Sequence, residues 1–371
     1  MQAGYQWVTR TSRRAAYNGG MDRTPDISPT PAQAARLAYD AVAAVVSPVF
    51  LVGGSVRDAL LDRASGDFDF TTPLDPDAIE ARVREAGRRP YLVGKKFGTV
   101  AFKIDGRTVE VTTFRSETYA ENTRKPDVEF VAELAQDLSR RDFTINAMAQ
   151  RGEEIIDLFG GRDDLAAGVI RAVGDARERF AEDPLRMLRA ARFSAQLSFE
   201  VEPATVAAMQ RLAHRILLVA RERWVAELDK LLVGPDAADA LRLLAETRLL
   251  RYLLPEVQLQ VGYEQNTRYH DRTLFEHTLG VLEATPEDLT LRWAALLHDI
   301  GKPYVRAEKP GHSTSVSHDL LGAELVERIA LYLKWGNKRR GDVARLVRDH
   351  MLSDSPLRAA DDVAKPPQED E

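Results

Sequence analysis

Phe50-Leu51-Val52-Gly53-Gly54-Ser55-Val56-Arg57-Asp58, closed after a short apolar turn by Gly66-Asp67-Phe68-Asp69-Phe70-Thr71-Thr72, organises the chain around it. The first part predicts a short buried strand that runs into a glycine pair, with a helix beginning where the glycines end. Glycines permit backbone angles and a close approach that a side chain would forbid. A helix start presents unbonded N–H groups and the positive end of the helix dipole, which suits a phosphate. The second part predicts another strand, with Asp67 and Asp69 on one face and Phe68 and Phe70 on the other. Adjacent carboxylates repel unless a proton or cation intervenes. A hard divalent ion such as Mg²⁺, sharing its shell with substrate phosphates, answers that need and points to metal-assisted phosphoryl chemistry. A tight turn followed by an exposed acidic strand edge is the alternative.

Around this hub the chain has 371 residues, 44% hydrophobic and 29% charged, with a net charge of −6 and no cysteine. That length suits several domains with real cores. Lack of cysteine excludes disulfides, thiol catalysis and zinc knuckles, and it fits a reducing cytoplasm. No apolar run approaches the ~20 residues a membrane span needs, so no membrane partner is expected. Met1 to Gly20 is polar, carries Arg10, Arg13 and Arg14, and lacks the apolar segment of a secretory signal. Met21 is an alternative start, and residues 1–24 are expected to be disordered. The acidic sum argues weakly against a nucleic-acid partner, yet Arg177, Arg179, Arg186, Arg189 and Arg192 leave room for a local basic surface.

Pro31 to Val46 reads as an Ala-rich amphipathic helix and Pro76 to Ala86 as a second. Gly98 to Ile104 and Thr108 to Phe114 read as strands joined by the Asp105-Gly106 turn. Alternation puts Glu110 opposite Val109 and Val111, where it could join Asp67 and Asp69 as a third carboxylate or simply face solvent. Tyr119 to Asp127 reads as a mobile loop. Arg140-Arg141-Asp142-Phe143-Thr144-Ile145-Asn146-Ala147 reads as a helix start whose arginines and aspartate could hold a triphosphate and a ribose hydroxyl. Asp157-Leu158-Phe159-Gly160-Gly161 reads as a flexible joint. From Asp163 onward helices dominate. Glu182-Asp183-Pro184-Leu185-Arg186-Met187-Leu188-Arg189 opens one, with Pro184 in its first turn. Asp183 and Arg186 then share a face, either as a surface ion pair or as a reader of base edges. A carboxylate acceptor beside guanidinium donors matches the pairing edges of cytosine and adenine and opposes those of guanine and uracil.

These motifs, with Glu222-Arg223-Trp224-Val225-Ala226-Glu227-Leu228 after them, resemble in order and spacing the class II tRNA nucleotidyltransferases, the family of CCA-adding enzymes and bacterial poly(A) polymerases. The resemblance implies an α+β chain: a small N-terminal mixed β-sheet nucleotidyltransferase head, then an all-α neck and body. Over the matching motifs it implies catalytic metal binding by Asp67 and Asp69, with Glu110 as third carboxylate. It implies nucleotide contacts from Gly53, Gly54, Arg57, Arg140, Arg141, Asp142, Asn146, Asp183, Arg186, Arg189 and Arg192. The implied activity is template-independent addition of C and A to tRNA 3′ ends from CTP and ATP, with Mg²⁺ and tRNA as partners. A CC-adding, A-adding or poly(A)-polymerising enzyme is the alternative within the family.

Six of seven histidines fall between His270 and His350. His277, then His298-Asp299-Ile300-Gly301-Lys302, His312, His318, Asp349 and His350, resemble a helical HD domain. The resemblance implies metal ligation by His277, His298, Asp299, His318 and Asp349, and phosphoester hydrolysis. Imidazole with carboxylate suits Ni²⁺, Mn²⁺ or Co²⁺ better than Mg²⁺. An HD phosphohydrolase with an RNA-binding head is the rival from another class, and a vestigial helical scaffold the bland alternative. After His350 the sequence turns acidic and Pro-rich, where relatives commonly continue with a further helical domain. The expected division is head 25–162, neck and body 163–265, HD-like domain 266–352 and flexible acidic tail 353–371.

Overall fold

The computed structural model describes residues 29–118, 127–266 and 272–365. The expected disordered start, most of the loop from Tyr119 to Asp127, His270 and the last residues of the acidic tail lie outside them.

The head is a six-stranded mixed sheet in the order β3-β4-β2-β1-β7-β8. Its centre is β1 (Phe50–Val52), flanked by β2 (Asp69–Thr72) and β7 (Met148–Arg151), both antiparallel to it. On one side β4 (Arg107–Thr113) runs parallel to β2 and β3 (Thr99–Ile104) antiparallel to β4; on the other, β8 (Glu154–Asp157) closes the edge. Asp105 and Gly106 both take positive φ, as a two-residue hairpin of matching twist requires. A small hairpin of β5 (Arg115–Thr118) and β6 (Asp127–Phe130) extends from the end of β4.

One sheet face packs on α1 (Pro31–Ala43), α2 (Gly54–Leu60) and α3 (Pro76–Glu85) through Leu51, Val56, Phe70, Ile79 and Val111, all at most 2% exposed. Thr30 and Gln33 form a capping box at the start of α1, where Pro31 supplies a first-turn φ. The opposite face is covered over β1, β7 and β8, where Val52 and Ala149 pack against Leu138 of α4 (Leu134–Ser139). Over β2 and β4 it stays open, and there Asp69 and Glu110 stand.

The expected helix at Arg140–Ala147 is instead one 3₁₀ turn, Thr144–Asn146, leading into β7. The apolar run Ile145-Ala147-Met148-Ala149 is buried by sheet packing, which overrides the helical reading. The expected flexible joint at Asp157–Gly161 is a tight corner. The Asp157 carboxylate accepts from the N–H groups of Phe159, Gly161 and Arg162 at 3.2, 2.9 and 2.8 Å. A Cβ on Gly161 would stand 2.3 Å from the Thr144 carbonyl oxygen, so only glycine fits that contact. The corner starts α5 (Gly161–Ala167), and β9 (Val169–Ile170) pairs in parallel with β10 (Glu200–Val201).

The helical body follows as α6 (Ala176–Glu182), α7 (Leu185–Leu197), α8 (Pro203–Leu212), α9 (Arg221–Leu232) and α10 (Ala237–Glu246). Short helices α11 (Leu250–Leu253) and α12 (Pro255–Gln258) lead to the last third. That third comprises α13 (Leu274–Ala284), α14 (Leu289–Leu297), α15 (Lys302–Val305), a hairpin of β11 (Ala307–Lys309) and β12 (His312–Thr314), α16 (His318–Tyr332), α17 (Asn337–Arg348) and α18 (Arg358–Val363). One continuous hydrophobic core runs through head, body and last third. Residues 353–365, expected to be flexible tail, belong to it: Leu357, Ala360 and Ala364 are buried against the helices ahead of them. Alanine and leucine at this spacing make an apolar stripe despite the acidic composition. Among the described residues, no helix is long and apolar enough to cross a membrane.

Candidate functional sites

The strand-turn-helix corner behaves as its sequence requires. Gly53 adopts φ +75°, and a Cβ there would lie 2.8 Å from Arg141 Nη1, so the bare Cα lets a guanidinium lie against the turn. Asp69 opens β2 opposite Val52 of β1 and opposite Glu110 of β4, so Asp69 and Glu110 share one face of adjacent strands. Asp67 stands in the bend before β2 rather than on the strand, where it is exposed. Burial raises the Asp69 carboxyl above its ordinary value; Arg141 pulls it down and Asp67 pushes it further up. Asp69 is exposed at the start of β2 with Glu110 beside it on the next strand, and two carboxylates on one open face are a donor set that a divalent cation fits. Asp67, Asp69 and Glu110 are not among the described groups whose ligand atoms lie within 4.8 Å of one another.

Asp69 lines a cleft of about 680 Å³ between head and body. It is lined by Gly53, Gly54, Asp69, Asp142, Asn146 and, from the helical side, Asp183, Leu185, Arg186 and Arg189. A chain of polar contacts crosses from head to body through it. Arg57 donates to Asn146 Oδ1 at 2.8 Å, Asn146 Nδ2 donates to Asp142 Oδ1 at 3.0 Å, and Arg189 Nε donates to Asp142 Oδ2 at 2.7 Å. Burial alone would raise the Asp142 carboxyl. The Arg189 charge and the bonds from Asn146, Arg189 and the Phe143 N–H overcome it and hold the group at about 2. Arg192 pairs with Glu227 of α9 at 2.7 Å, while burial lowers its guanidinium to about 10. Phe193 lies under the guanidinium groups of Arg57, Arg189 and Arg192, 5.0, 5.3 and 3.8 Å from its ring centre.

Arg140 and Arg141 are held by Asp137, a fully buried carboxylate on α4, with contacts of 2.9 and 3.4 Å. Their heads point into the cleft. Asp183 and Arg186 line the cleft without pairing to each other. Asp183 accepts from the Leu185 N–H at 3.1 Å and from Arg223 at 2.9 Å. Arg186 donates to Glu182, to the Arg179 carbonyl and to the Arg140 carbonyl at 2.7, 3.0 and 2.7 Å. A guanidinium carries five N–H donors, so two of its five have no partner among the described residues. The reading of Asp183 and Arg186 as a surface ion pair therefore fails. Asp137, Glu182, Phe193 and Glu227 were not singled out as site residues from sequence. Asp137 had no motif of its own. Glu182 and Glu227 did stand in the motif stretches, at positions where burial of an acid beside arginines was the available signal.

A second cluster lies in the last third. His277, His298, Asp299, His318 and His350 are all at most 8% exposed. Two groups whose ligand atoms converge share one residue: His277, His298 and Asp299, and Asp299, His318 and His350. His298 and His318 Nε2 each lie 3.1 Å from an Asp299 oxygen, on different oxygens. Asp361 of α18 comes within 3.1 Å of His277 Nε2. His298, His318 and His350 set Nδ1 against the carbonyls of Ala295, Ser315 and Val347 at 2.8, 2.7 and 2.6 Å. A carbonyl only accepts, so Nδ1 carries the proton and the Nε2 lone pair faces inward. His318 and His350 then bring two Nε2 lone pairs within 3.2 Å. Burial, helped by the neighbouring His298, lowers His350 to about 4. His298 Nε2 and both Asp299 oxygens are buried without a well-directed hydrogen bond. Inward lone pairs around a bridging carboxylate fit divalent transition metals.

Asp349 is not part of this cluster. It caps the end of α17, half-buried, and the neighbouring His350 takes the inward position. Successive residues at a helix end point about 100° apart, so only one can face the site. Asp361, in the stretch expected to be tail, reaches His277 at the edge of the cluster instead. His312 lies on the exposed β11–β12 hairpin at the rim of a cavity of about 830 Å³ that opens beside His318 and Lys302.

Residues 49–171 match the family described as Poly A polymerase head domain, residues 198–260 that described as probable RNA and SrmB-binding site of polymerase A, and residues 274–368 the HD domain family. The CCA-adding enzyme of Bacillus subtilis (strain 168) is 40% identical over 257 residues, which are 68% of this chain and 60% of that protein. The CCA-adding enzyme of Leuconostoc mesenteroides is 44% identical over 206 residues, 55% of this chain and 50% of its own length. The chain thus spans about half to three-fifths of the curated relatives it matches. The crystal structure of the Bacillus stearothermophilus CCA-adding enzyme in complex with CTP superposes with a TM-score of 0.61 at 31% identity, covering 89% of this chain and 82% of that one.

Proposed function

Because the chain belongs to the CCA-adding enzyme family of tRNA nucleotidyltransferases, we propose that it extends tRNA 3′ ends with C and A residues from CTP and ATP. The terminal hydroxyl oxygen forms a bond to the nucleotide α-phosphorus, the bond to the β-phosphate oxygen breaks, and pyrophosphate leaves. Asp67, Asp69 and Glu110 would hold Mg²⁺, which when bound neutralises charge on the transferring phosphate and its leaving group. Arg140 and Arg141, kept in place by Asp137, bind the triphosphate beside the Gly53 turn. The chain Arg57–Asn146–Asp142–Arg189 orients the sugar and fixes the head against α7. Asp183 offers acceptor oxygens and Arg186 spare donors towards the base edge, a pattern that cytosine and adenine satisfy and guanine and uracil do not.

The observation that carries this reading is convergence. Asp69 on an open sheet face, arginines at a glycine turn, and Asp183 and Arg186 from the body meet in a single cleft. Incubation with tRNA lacking its end, supplied with CTP, ATP or both, followed by sequencing of the products, tests it. The expected product ends in CCA. Extension by C alone, by A alone or by a long A run selects the family alternatives, and no extension overturns the reading.

A second activity rests on the inward-facing imidazoles around Asp299. The cluster would bind Ni²⁺, Mn²⁺ or Co²⁺ and support hydrolysis of a small phosphodiester or 2′,3′-cyclic phosphate. Metal analysis of the purified protein, with hydrolysis assayed after adding each ion, checks this; no bound metal and no hydrolysis would reduce the last third to a scaffold.

A further inference from the structure

At the free end of β3, the head exposes apolar side chains that its core does not use. Phe97 is 53% exposed, Phe130 46% and Val93 94%. Phe97 ends a 3₁₀ turn, Lys95–Phe97, and Gly98 follows at φ +90°. A Cβ on Gly98 would meet the Phe130 ring at 2.8 Å, so the bare glycine sets Phe130 beside Phe97. Lys96 Nζ stands 4.7 Å from the Phe97 ring centre. The neighbouring Lys95 is neutralised by Asp77 and Glu80 at 2.6 and 2.5 Å, while no acid pairs with Lys96 among the described residues.

This corner is continuous with the nucleotide cleft. Arg115 lines that cleft, and its Nη1 donates to the Phe97 carbonyl at 2.8 Å. An exposed aromatic ring with a cation over it, tethered to the wall of an arginine-lined cleft, is an arrangement that suits single-stranded nucleic acid. The ring stacks on a base of any identity, and the cation meets the backbone. The unpaired lysine and the shared arginine favour a polyanion over an apolar protein partner.

We propose that Phe97, with Lys96, is a stacking platform for an unpaired base near the 3′ end of the RNA being extended. It is a primer-binding residue and takes no part in nucleotide choice. The proposal rests on the RNA-extending reading of the cleft. That reading predicts a polymer primer without saying which protein surface receives it.

The test uses the full chain and an RNA hairpin whose single-stranded 3′ overhang carries 2-aminopurine, a base whose fluorescence falls on stacking. Binding of the unaltered protein should quench it. Phe97→Ala should abolish the quench, raise the Kd and the primer KM about tenfold, and leave the KM for CTP and the melting temperature unchanged. Phe97→Trp should restore quenching, and Phe97→Leu should not. Lys96→Ala should weaken binding and flatten its salt dependence by about one counterion. Unchanged binding by Phe97→Ala would overturn the proposal. So would wild-type binding by Phe97→Leu, which would mark a surface for an apolar protein partner, or a CTP KM rising in step with the primer KM. If the unaltered protein extends no RNA, the underlying reading fails whatever Phe97 does; if it extends RNA and Phe97→Ala matches it, the platform alone fails.

Discussion

Asp69 stands at the solvent-exposed start of β2 beside a second acid. Burial and Asp67 raise its proton affinity in the folded chain. In an acid whose folded value is raised, stability falls as pH rises from the unfolded value through the folded one. Asp69→Asn removes that loss. The variant is expected to melt at the same or a higher temperature than the unaltered protein at neutral pH in a chelator, while nucleotide addition drops by at least a thousandfold. Paired melting curves and extension assays check both halves, and a destabilised Asp69→Asn would argue for a structural role. Asp142 behaves in the opposite sense. Its carboxyl is held at about 2, so it contributes about 2 kcal/mol above pH ~4, lost as pH falls towards 2. Asp142→Ala should cost about 3 kcal/mol at pH 7, because the Arg189 charge loses its closest partner. Denaturant titrations at pH 7 and at pH 2.5 should show the gap between variant and parent narrowing in acid.

Among the elements, α7 has the widest set of duties. Its first turn presents Arg186, its second Arg189, and Phe193 lies beneath three guanidinium groups. Replacing Asp183 or Arg186 with alanine is expected to relax base choice at least tenfold towards UTP or GTP, with melting shifted by only a few degrees. Misincorporation measured against each nucleotide checks this; unchanged selectivity with lowered stability would assign both residues to support. Glu182→Gln should loosen selectivity more weakly, since Glu182 touches the cleft only through Arg186. This element also marks how far the sequence could be read. The glycine turn, the Asp105-Gly106 hairpin and Pro184 at the head of α7 were legible, because each depends on a local backbone demand. Pairings were not. Nothing local says that Asp183 turns to Arg223, or that Asp142 reaches Arg189 across 47 residues. The helix expected at Arg140–Ala147 failed for the same reason: neighbouring strands bury that run, and no window along the chain contains them. Asp349 was chosen over His350, and Asp361 overlooked, because an acidic, proline-bearing composition obscured a short apolar stripe.

At the scale of the whole molecule, α9 ties the two sites together. Its outer turns give Arg223 and Glu227 to the nucleotide cleft, while Asp229 accepts from Trp293 Nε1 at 2.8 Å and from Arg339 at 2.7 Å. Those partners belong to α14 and α17, whose ends carry His298 and His350. Asp229→Ala should cost about 2 kcal/mol and split a single thermal transition into two, as calorimetry would record; one sharp transition in the variant would show that the continuous core alone carries the coupling. The chemistries should still separate, with His298→Ala losing metal and sparing nucleotide addition and Asp67→Ala doing the reverse. The placement of Asp361 has a consequence for how the protein comes into being. Each residue of the nucleotide cleft lies between Gly53 and Glu227, so a chain emerging from the ribosome can close that cleft while the last third is still being made. The histidine cluster waits for α18. A nascent or prematurely terminated chain would therefore present the nucleotide cleft before α18 brings Asp361 to His277.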